Sequence, residues 1–346
     1  MAGVATGSTT LARAWIDVLG LRAAIAGDWP EVVESIRRDF AWFESSDPGP
    51  SRLEVRLERR SPDFAAFGEV VASFVTPRNV VYQQGPMTII DYFGRALSIL
   101  DRERGVLVVQ GTDAHLVHEA AYLFLLSSIG EHLDRRRTPR LHALGLHGAQ
   151  GAVAVMLPSG GGKSTLALRA LRADGVRIYS EDSPLIDRRG RLHPFPLRVG
   201  INESDAPELP PEHVRRIERM EFHPKLLLDV EAFQDRVERR PSRLRHLVVG
   251  RRSLGIEPRL ERAPRARAVG PLLREAVVGV GLYQGMEFVL QRGMRDTVGQ
   301  AGAAATRAAC CAAALARAQV WELTLGRDHD RNWEALLPLL EAEGRG

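Results

Sequence analysis

The chain contains very little lysine, although it is rich in basic residues. Of its 47 lysines and arginines, only Lys163 and Lys225 are lysines. A lysine ammonium is a compact point charge, whereas an arginine guanidinium is a planar fork, so the two are not interchangeable at a tightly packed site. The position of Lys163 beside a run of glycines favours a functional reason for that lysine. For Lys225, a coding bias that spared the residue by chance is an equally good explanation.

Cysteines and long apolar segments are also scarce. The two cysteines, Cys310 and Cys311, are adjacent in an alanine-rich stretch, which predicts small buried residues in a reduced compartment rather than a disulfide. The longest apolar runs, such as residues 120–130, are shorter than the roughly 20 residues that a membrane helix needs. The first residues lack the basic region of a signal peptide, and a net charge of +4 is too small to indicate nucleic acid. These features predict a cytoplasmic protein that binds neither nucleic acid nor membrane.

The pattern of apolar residues predicts two domains. Residues 1–136 combine alternating strand patterns with two helical patterns, near residues 28–43 and over residues 113–136, which predicts a small α+β domain. Asp28 is the predicted N-cap of the first helix. Residues 137–346 begin with two strand patterns, a glycine-rich loop and a helical pattern, which is the order found in phosphate-binding α/β domains. A charged segment that contains a proline closes the first region, so the boundary is predicted near residue 136.

The glycine-rich loop fits the phosphate-loop pattern G-x-x-x-x-G-K-[ST] at every position of residues 157–164 except the first, where Leu157 replaces glycine. Glycines allow consecutive backbone amides to face phosphate oxygens, a lysine reaches the outer phosphates, and a serine hydroxyl can bind Mg²⁺. A plain strand-to-helix connection is the alternative, and the lysine and hydroxyl residues that follow the glycines argue against it. The predicted nucleotide-binding residues are Ser159, Gly160, Gly161, Gly162, Lys163, Ser164 and Thr165.

Two further features accompany this loop. His142 lies one predicted strand before it, and Glu181 and Asp182 end the next predicted strand after it. A carboxylate beside the loop can accept the proton of an attacking hydroxyl, and a second can hold Mg²⁺. The alternatives are a histidine of the core and an ordinary turn after the strand, since Ser-Glu-Asp-Ser-Pro is also good turn sequence.

At these residues the sequence resembles the bacterial HPr serine kinase family and the related kinases of peptide-modifying gene clusters, including those that act on lasso precursor peptides. In that family a histidine precedes the phosphate loop at the spacing of His142 to Lys163, and two acidic residues end the next strand, as Glu181 and Asp182 do here. The resemblance covers residues 140–190 well and residues 190–345 in outline. It implies an α/β fold of the HPr-kinase/PEP-carboxykinase-like P-loop kinase type for residues 137–346, with ATP and Mg²⁺ as cofactors.

The resemblance also implies roles for individual residues. Glu181 would be the general base, and Asp182 with Ser164 would bind Mg²⁺, with an exchange of the two acidic roles left open. His142 would tune the base or contact the transferred phosphoryl group, and Lys225 would face a phosphate.

The expected function is therefore ATP- and Mg²⁺-dependent transfer of the γ-phosphoryl group to a serine, or another hydroxyl, of a peptide or small protein. Leu157, Glu181 and the lack of a long glycine-rich segment after the acidic pair depart from the HPr kinases, and the last departure argues against HPr itself as the substrate. Two alternatives stay open, a non-catalytic ATP-binding regulatory module and a kinase for a small metabolite. The oligomeric state, including a homo-oligomer, is also left open.

Overall fold

The protein has a mixed α/β fold with two large sheets. A computed structural model describes residues 11–158, 160–204, 206–218, 220, 224–278 and 294–341. The contacts divide the chain into two compact units. The first holds the described residues up to Leu126 and those between residues 217 and 224, and the second holds the other described residues. This division falls inside a helix, ten residues before the boundary predicted near residue 136.

The first unit is built on an eight-stranded sheet. Its strands follow the order β1-β2-β3-β8-β7-β6-β5-β4, in which β2, β3 and β8 are parallel neighbours and the other pairs are antiparallel. The bounds are β1 (Ala12–Val18), β2 (Leu21–Gly27), β3 (Leu53–Arg59), β4 (Ala72–Val75), β5 (Val80–Gln84), β6 (Met87–Asp91), β7 (Ala96–Asp101) and β8 (Val106–Gly111). Alternation of buried and less buried residues in β1 and β2 shows that one side of these strands faces the core.

Helix α1 (Pro30–Asp39) packs against β1 and β2 of this sheet, and α2 (Ala114–Arg135) begins in this unit and ends in the second. Asp113 caps α2, because its carboxylate accepts hydrogen bonds from the backbone amides of His115 and Leu116. The prediction that Asp28 caps α1 is wrong. Trp29 occupies the N-cap position, and the Asp28 carboxylate accepts a hydrogen bond instead from the amide of Arg59, the last residue of β3.

The second unit contains the glycine-rich loop. Its strands are β9 (Leu144–Gly148), β10 (Gly151–Met156), β11 (Arg177–Ser180), β12 (Leu185–Ile186), β13 (Arg191–His193), β14 (Val199–Ile201), β15 (Val214–Ile217), β16 (Lys225–Leu228), β17 (Ser242–Arg252), β18 (Arg259–Ala263) and β19 (Gln319–Leu325). Strands β14, β16 and β15 form a small sheet in that order, and the other strands form a large one. The large sheet runs β11-β9-β10-β17, after which β17 pairs with β13 at its start and with β19 along the rest of its length. Strand β10 is thus a central strand, parallel to β17 and antiparallel to β9.

The helices of this unit are α3 (Lys163–Arg172), α4 (Ala266–Leu272), α5 (Met294–Leu315) and α6 (His329–Glu334). Helix α4 continues into a π-helical turn at Leu273–Val278. One face of the large sheet packs against α4, this turn and α5, in a core that includes Ala154, Leu247 and Leu272. Cys310 and Cys311 belong to that core as free thiols, as predicted. Burial raises the pKa of Cys310 to about 11 and that of Cys311 to about 12.

Within the described part of the chain, no helix combines the length and the apolar character that crossing a membrane would require.

Candidate functional site

The candidate site lies at one end of three neighbouring strands of the large sheet, β10, β9 and β11. Because β9 runs antiparallel to both β10 and β11, the start of β9 lies beside the ends of the other two strands. His142 precedes β9, the glycine-rich loop follows β10, and Glu181 with Asp182 follows β11. The register pairs Leu144 with Val155 and Gly145 with Ser180, so these segments are adjacent. The sheet topology therefore brings together residues that are up to 40 positions apart in the chain.

The backbone of the loop favours glycine at Gly160, Gly161 and Gly162, and the last two show the reason most clearly. Gly162, at the N-cap of α3, has a φ of 105°, a conformation that residues with a side chain rarely adopt. A Cβ atom on Gly161 would lie only 2.7 Å from the carbonyl oxygen of Pro158, which accepts a hydrogen bond from the Gly161 amide. Ser159 lies outside the described residues. The loop is therefore a tight turn that leads directly into the first turn of α3.

Leu157, where the pattern has its first glycine, is a core residue. Its side chain is 2% exposed. It packs over Gly250 of β17, where a Cβ atom would overlap the Leu157 side chain. The neighbouring strand thus provides the space that the larger residue needs, and the departure from the pattern is accommodated by packing rather than by a change in the glycines that follow.

Lys163 is buried in the site and makes several polar contacts. Its side chain is 7% exposed, and its Nζ lies 2.9 Å from the Leu157 carbonyl oxygen, 2.9 Å from His142 Nε2 and 3.4 Å from Asp182 Oδ1. A buried ammonium is costly unless it is paired and hydrogen-bonded, and these contacts supply both. Lys163 is therefore held at the loop, facing the acidic pair.

His142 connects this lysine to two carboxylates. It is 6% exposed, with Nε2 3.0 Å from Asp182 Oδ1 and Nδ1 2.7 Å from Glu275 Oε2. Burial alone would lower the pKa of His142, but the hydrogen bond and charge of Asp182 outweigh it and raise the pKa above its usual value. His142 is thus a buried histidine whose two ring nitrogens both face charged groups of the site.

Asp182 faces His142 and Lys163, and its side chain is 44% exposed. Loss of hydration would raise the pKa of Asp182. The hydrogen bond and charge of His142, with the charges of Lys163 and Lys225, act in the opposite direction and lower the pKa to about 2. Asp182 is therefore ionised at every pH at which the protein would work.

Glu181 contacts Ser164, the residue that follows the loop lysine in α3. The Ser164 hydroxyl donates a 2.6 Å hydrogen bond to Glu181 Oε1. Loss of hydration and the charge of Asp182 raise the pKa of Glu181, against the opposing effects of Lys225 and the Ser164 hydrogen bond. The predicted metal ligand Ser164 is thus paired with Glu181, whereas Asp182 is paired with His142.

Lys225, the other lysine of the chain, is half-buried at the start of β16. Its side chain covers Gly200 of β14, since a Cβ atom there would overlap it. Its charge lowers the pKa of both Glu181 and Asp182, which places Lys225 within electrostatic reach of the acidic pair. Lys225 therefore belongs to the charge balance of the same site.

Two features of the site were not found from the sequence. Glu275 lies 133 positions after its partner His142, and no motif marks it. A small cleft beside the loop is lined by Gly161, Gly162 and Thr165 together with Arg252 and His329. Local patterns contain no signal for either, because both depend on the pairing of distant segments.

The residues present fit a magnesium ion in part. Ser164 Oγ and a Glu181 oxygen lie together at the start of α3, and Mg²⁺ commonly takes only one or two protein oxygens together with substrate phosphates and waters. Among the described residues, no group of three or more histidine, cysteine, aspartate or glutamate side chains is arranged to hold a metal. A cage formed by protein ligands alone is therefore absent from that part of the chain.

Comparison with known proteins adds no family to this description. A scan against protein-family models gives no match to the chain, and a search of curated proteins gives no significant match.

Proposed function

We propose that this protein is a kinase of the HPr-kinase type, which transfers the γ-phosphoryl group of ATP to a hydroxyl, most simply a serine of a peptide or small protein. The observation that carries the proposal is the convergence of Lys163, Ser164, Glu181 and Asp182 beside a glycine loop at the ends of β10 and β11. A lysine and a serine at the start of the helix, with carboxylates on the next strand, supply the groups that phosphoryl transfer needs.

The loop and Lys163 would bind the phosphates. The positive end of α3 attracts phosphate oxygens, and the backbone amides of Gly160 and Gly162 would donate to them. The Lys163 ammonium would exchange its contact with the Leu157 carbonyl oxygen for an outer phosphate oxygen, which is a stronger, charge-assisted partner.

Mg²⁺ would be held by Ser164 and Glu181, which already lie within hydrogen-bonding distance of each other. When bound, Mg²⁺ would supply positive charge that offsets the negative charge developing on the phosphate oxygens. The metal charge also favours the ionised form of Glu181, whose pKa is raised in the protein alone. This assignment exchanges the roles that the resemblance gives to the two acidic residues.

Asp182 would orient the acceptor hydroxyl. The serine oxygen forms its bond to the γ-phosphorus as the bond from that phosphorus to the β–γ bridging oxygen breaks, and ADP leaves. The hydroxyl proton passes to Asp182, whose low pKa makes it a weak base that accepts the proton only as the hydroxyl becomes acidic in the transition state. His142 donates to or accepts from its neighbours at Nε2 and so holds Asp182 and Lys163 in place.

The test is phosphorylation of a serine-containing peptide library with γ-labelled ATP and Mg²⁺, using the wild type, Lys163→Ala and Arg172→Ala. Arg172 lies at the other end of α3 and pairs with Glu208 on the surface, so it is the matched control. We expect labelled peptide with the wild type and the control, and a loss of roughly 10²-fold or more with Lys163→Ala, the scale of removing one preorganised electrostatic contact.

Other outcomes identify the alternatives. Binding of Mg–ATP without transfer to any peptide or to a metabolite extract would indicate a regulatory nucleotide-binding module. Transfer to a metabolite alone would indicate a small-molecule kinase. Wild-type ATP binding and turnover in Lys163→Ala would contradict the assignment of the loop.

A further inference from the structure

Glu275 is a buried carboxylate that the proposed transfer reaction does not use directly. It is 4% exposed and lies in the π-helical turn that follows α4. Its neighbours Leu272 and Ala276 are packed in the core against the large sheet, which fixes the turn that carries it. Irregular π-helical turns often occur at functional sites, because they direct a side chain that a regular helix would point elsewhere.

Both oxygens of Glu275 are engaged. Oε2 lies 2.7 Å from His142 Nδ1, and Oε1 accepts a 2.7 Å hydrogen bond from Arg274 Nε. A carboxylate that accepts a hydrogen bond from Nδ1–H keeps the proton on that nitrogen and fixes the plane of the histidine ring. Nε2 then lies between two groups of the site, 2.9 Å from Lys163 Nζ and 3.0 Å from Asp182 Oδ1, so it accepts from the ammonium when unprotonated and donates to the carboxylate when protonated.

We propose that Glu275 is a positioning residue of the site, which holds His142 with its proton on Nδ1 so that Nε2 is presented to Lys163 and Asp182. The mechanistic part of this inference rests on the proposed kinase function. Without Glu275, no acceptor at Nδ1 would fix the plane of the ring, and Nε2 could turn away from Lys163 and Asp182. The loop lysine would lose one of the contacts that place it beside Asp182.

A buried carboxylate can also serve stability alone, and the chain offers a matched control for that role. Asp134 is similarly buried, lies in the same unit, and pairs with Arg307 far from the loop in the sequence. Removing one partner of a buried ion pair destabilises the fold whatever the site does. Arg307 also donates a hydrogen bond to the Val277 carbonyl oxygen of the turn that carries Glu275. Asp134→Asn therefore reports the effect of losing a buried pair beside this turn while the contact of Glu275 with His142 is kept.

The experiment compares the full-length wild type with Glu275→Leu, Glu275→Gln and Asp134→Asn in two measurements. The first is ¹⁵N NMR of the histidine side chains, with His142→Gln to assign the signal, which reads the protonated ring nitrogen without requiring any activity. The second is kcat and KM for Mg–ATP with a labelled acceptor peptide. Thermal unfolding of each variant accompanies both.

We expect Nδ1 to carry the proton in the wild type and in Asp134→Asn, and the population to shift toward Nε2 in Glu275→Leu. We expect kcat of Glu275→Leu to fall by about 10- to 100-fold, the scale seen for residues that orient a ligand's partner, while KM for Mg–ATP stays near the wild-type value. Glu275→Gln retains an acceptor oxygen and should recover most of kcat.

The proposal is overturned if Glu275→Leu keeps the wild-type tautomer, keeps the wild-type kcat, or loses activity only in proportion to a loss of stability shared with Asp134→Asn. If the wild type transfers no phosphate at all, the kinase proposal fails, and the NMR comparison still decides whether Glu275 positions His142.

Discussion

Leu157→Gly restores the first glycine of the phosphate-loop pattern, and the structure predicts that it harms the protein. The wild-type side chain is 2% exposed and fills the space over Gly250. Deleting a buried leucine side chain to alanine costs about 2–5 kcal/mol, and the added backbone freedom of glycine costs about 0.5–1 kcal/mol more. We therefore expect the free energy of unfolding to fall by roughly 2.5–6 kcal/mol.

The same change should leave nucleotide binding nearly unaltered. The groups that would meet phosphate begin at Gly160, and the hydrogen bond of Lys163 to residue 157 uses the backbone carbonyl, which glycine retains. The assay is urea unfolding of Leu157→Gly and of the volume-conserving control Leu157→Met, for which we expect a loss below about 1.5 kcal/mol. Calorimetric titration with Mg–ATP, under conditions where each variant is folded, measures the affinity.

A double-mutant cycle with Gly250→Ala tests the packing directly. A Cβ atom at residue 250 overlaps the Leu157 side chain in the wild type, and without that side chain its contact with the Met156 carbonyl oxygen, at 3.4 Å, is an ordinary one. The two changes should therefore couple, with the alanine destabilising the wild type and costing less in the glycine variant, by an interaction energy of about 0.5–3 kcal/mol. Additive effects, or a Leu157→Gly protein as stable as the wild type, would refute the packing argument. A large gain in ATP affinity would show that the native loop is compromised and would favour the regulatory-module alternative.

Two further predictions concern carboxylates. Asp182→Asn should lower the rate of single-turnover phosphorylation while leaving the calorimetric affinity for Mg–ATP nearly intact, and Glu181→Gln should weaken Mg²⁺-dependent binding. Exchanged phenotypes would restore the roles that the resemblance implies. If both variants behave like the wild type, the mechanism is contradicted. Away from the site, burial alone would raise the pKa of Asp187, but hydrogen bonds from the Arg191 amide, His193 and the Arg191 side chain lower it from 3.8 to about 2. A lowered pKa in the folded state contributes stability that is complete above about pH 4 and is lost as the pH falls toward 2, here roughly 1–2 kcal/mol. Urea unfolding across that range should therefore show that the free energy of unfolding depends less steeply on pH in Asp187→Asn than in the wild type. An unchanged slope would contradict the prediction.

Much of the secondary structure could be predicted, because it depends on local patterns. The two strand patterns before the loop correspond to β9 and β10, which pair antiparallel with Gly148 opposite Gly151. The helix expected over residues 113–136 spans Ala114–Arg135 and begins with the Asp113 cap. The prediction of the Asp28 cap was wrong because the carboxylate can accept from any nearby amide and not only from those of the helix. The amide that it accepts from, that of Arg59, lies on a strand whose position the local sequence does not reveal.

The site could be predicted only where its residues lie next to the loop or at the ends of neighbouring strands. His142, Glu181 and Asp182 were identifiable because each adjoins a strand that the local pattern predicts. The pairing of Ser164 with Glu181 rather than Asp182 could not be predicted, since two adjacent residues after a strand point in directions that depend on the turn. Glu275 could not be predicted because only the packing of the turn after α4 brings it to His142.

The scarcity of lysine and the geometry of the site have a common explanation. The chain has 45 arginines and only two lysines, and both lysines lower the pKa of Glu181 and of Asp182. At Lys163, the ammonium is almost fully buried and contacts a carbonyl oxygen, a histidine nitrogen and a carboxylate that lie in different directions. A planar guanidinium has its donors in one plane and needs more room, so it could not satisfy these partners from the same position. Lys225, packed closely over Gly200, is under a similar restriction of space. Because both lysines lower the pKa of the same two carboxylates, we favour a functional reason for Lys225 as well as for Lys163.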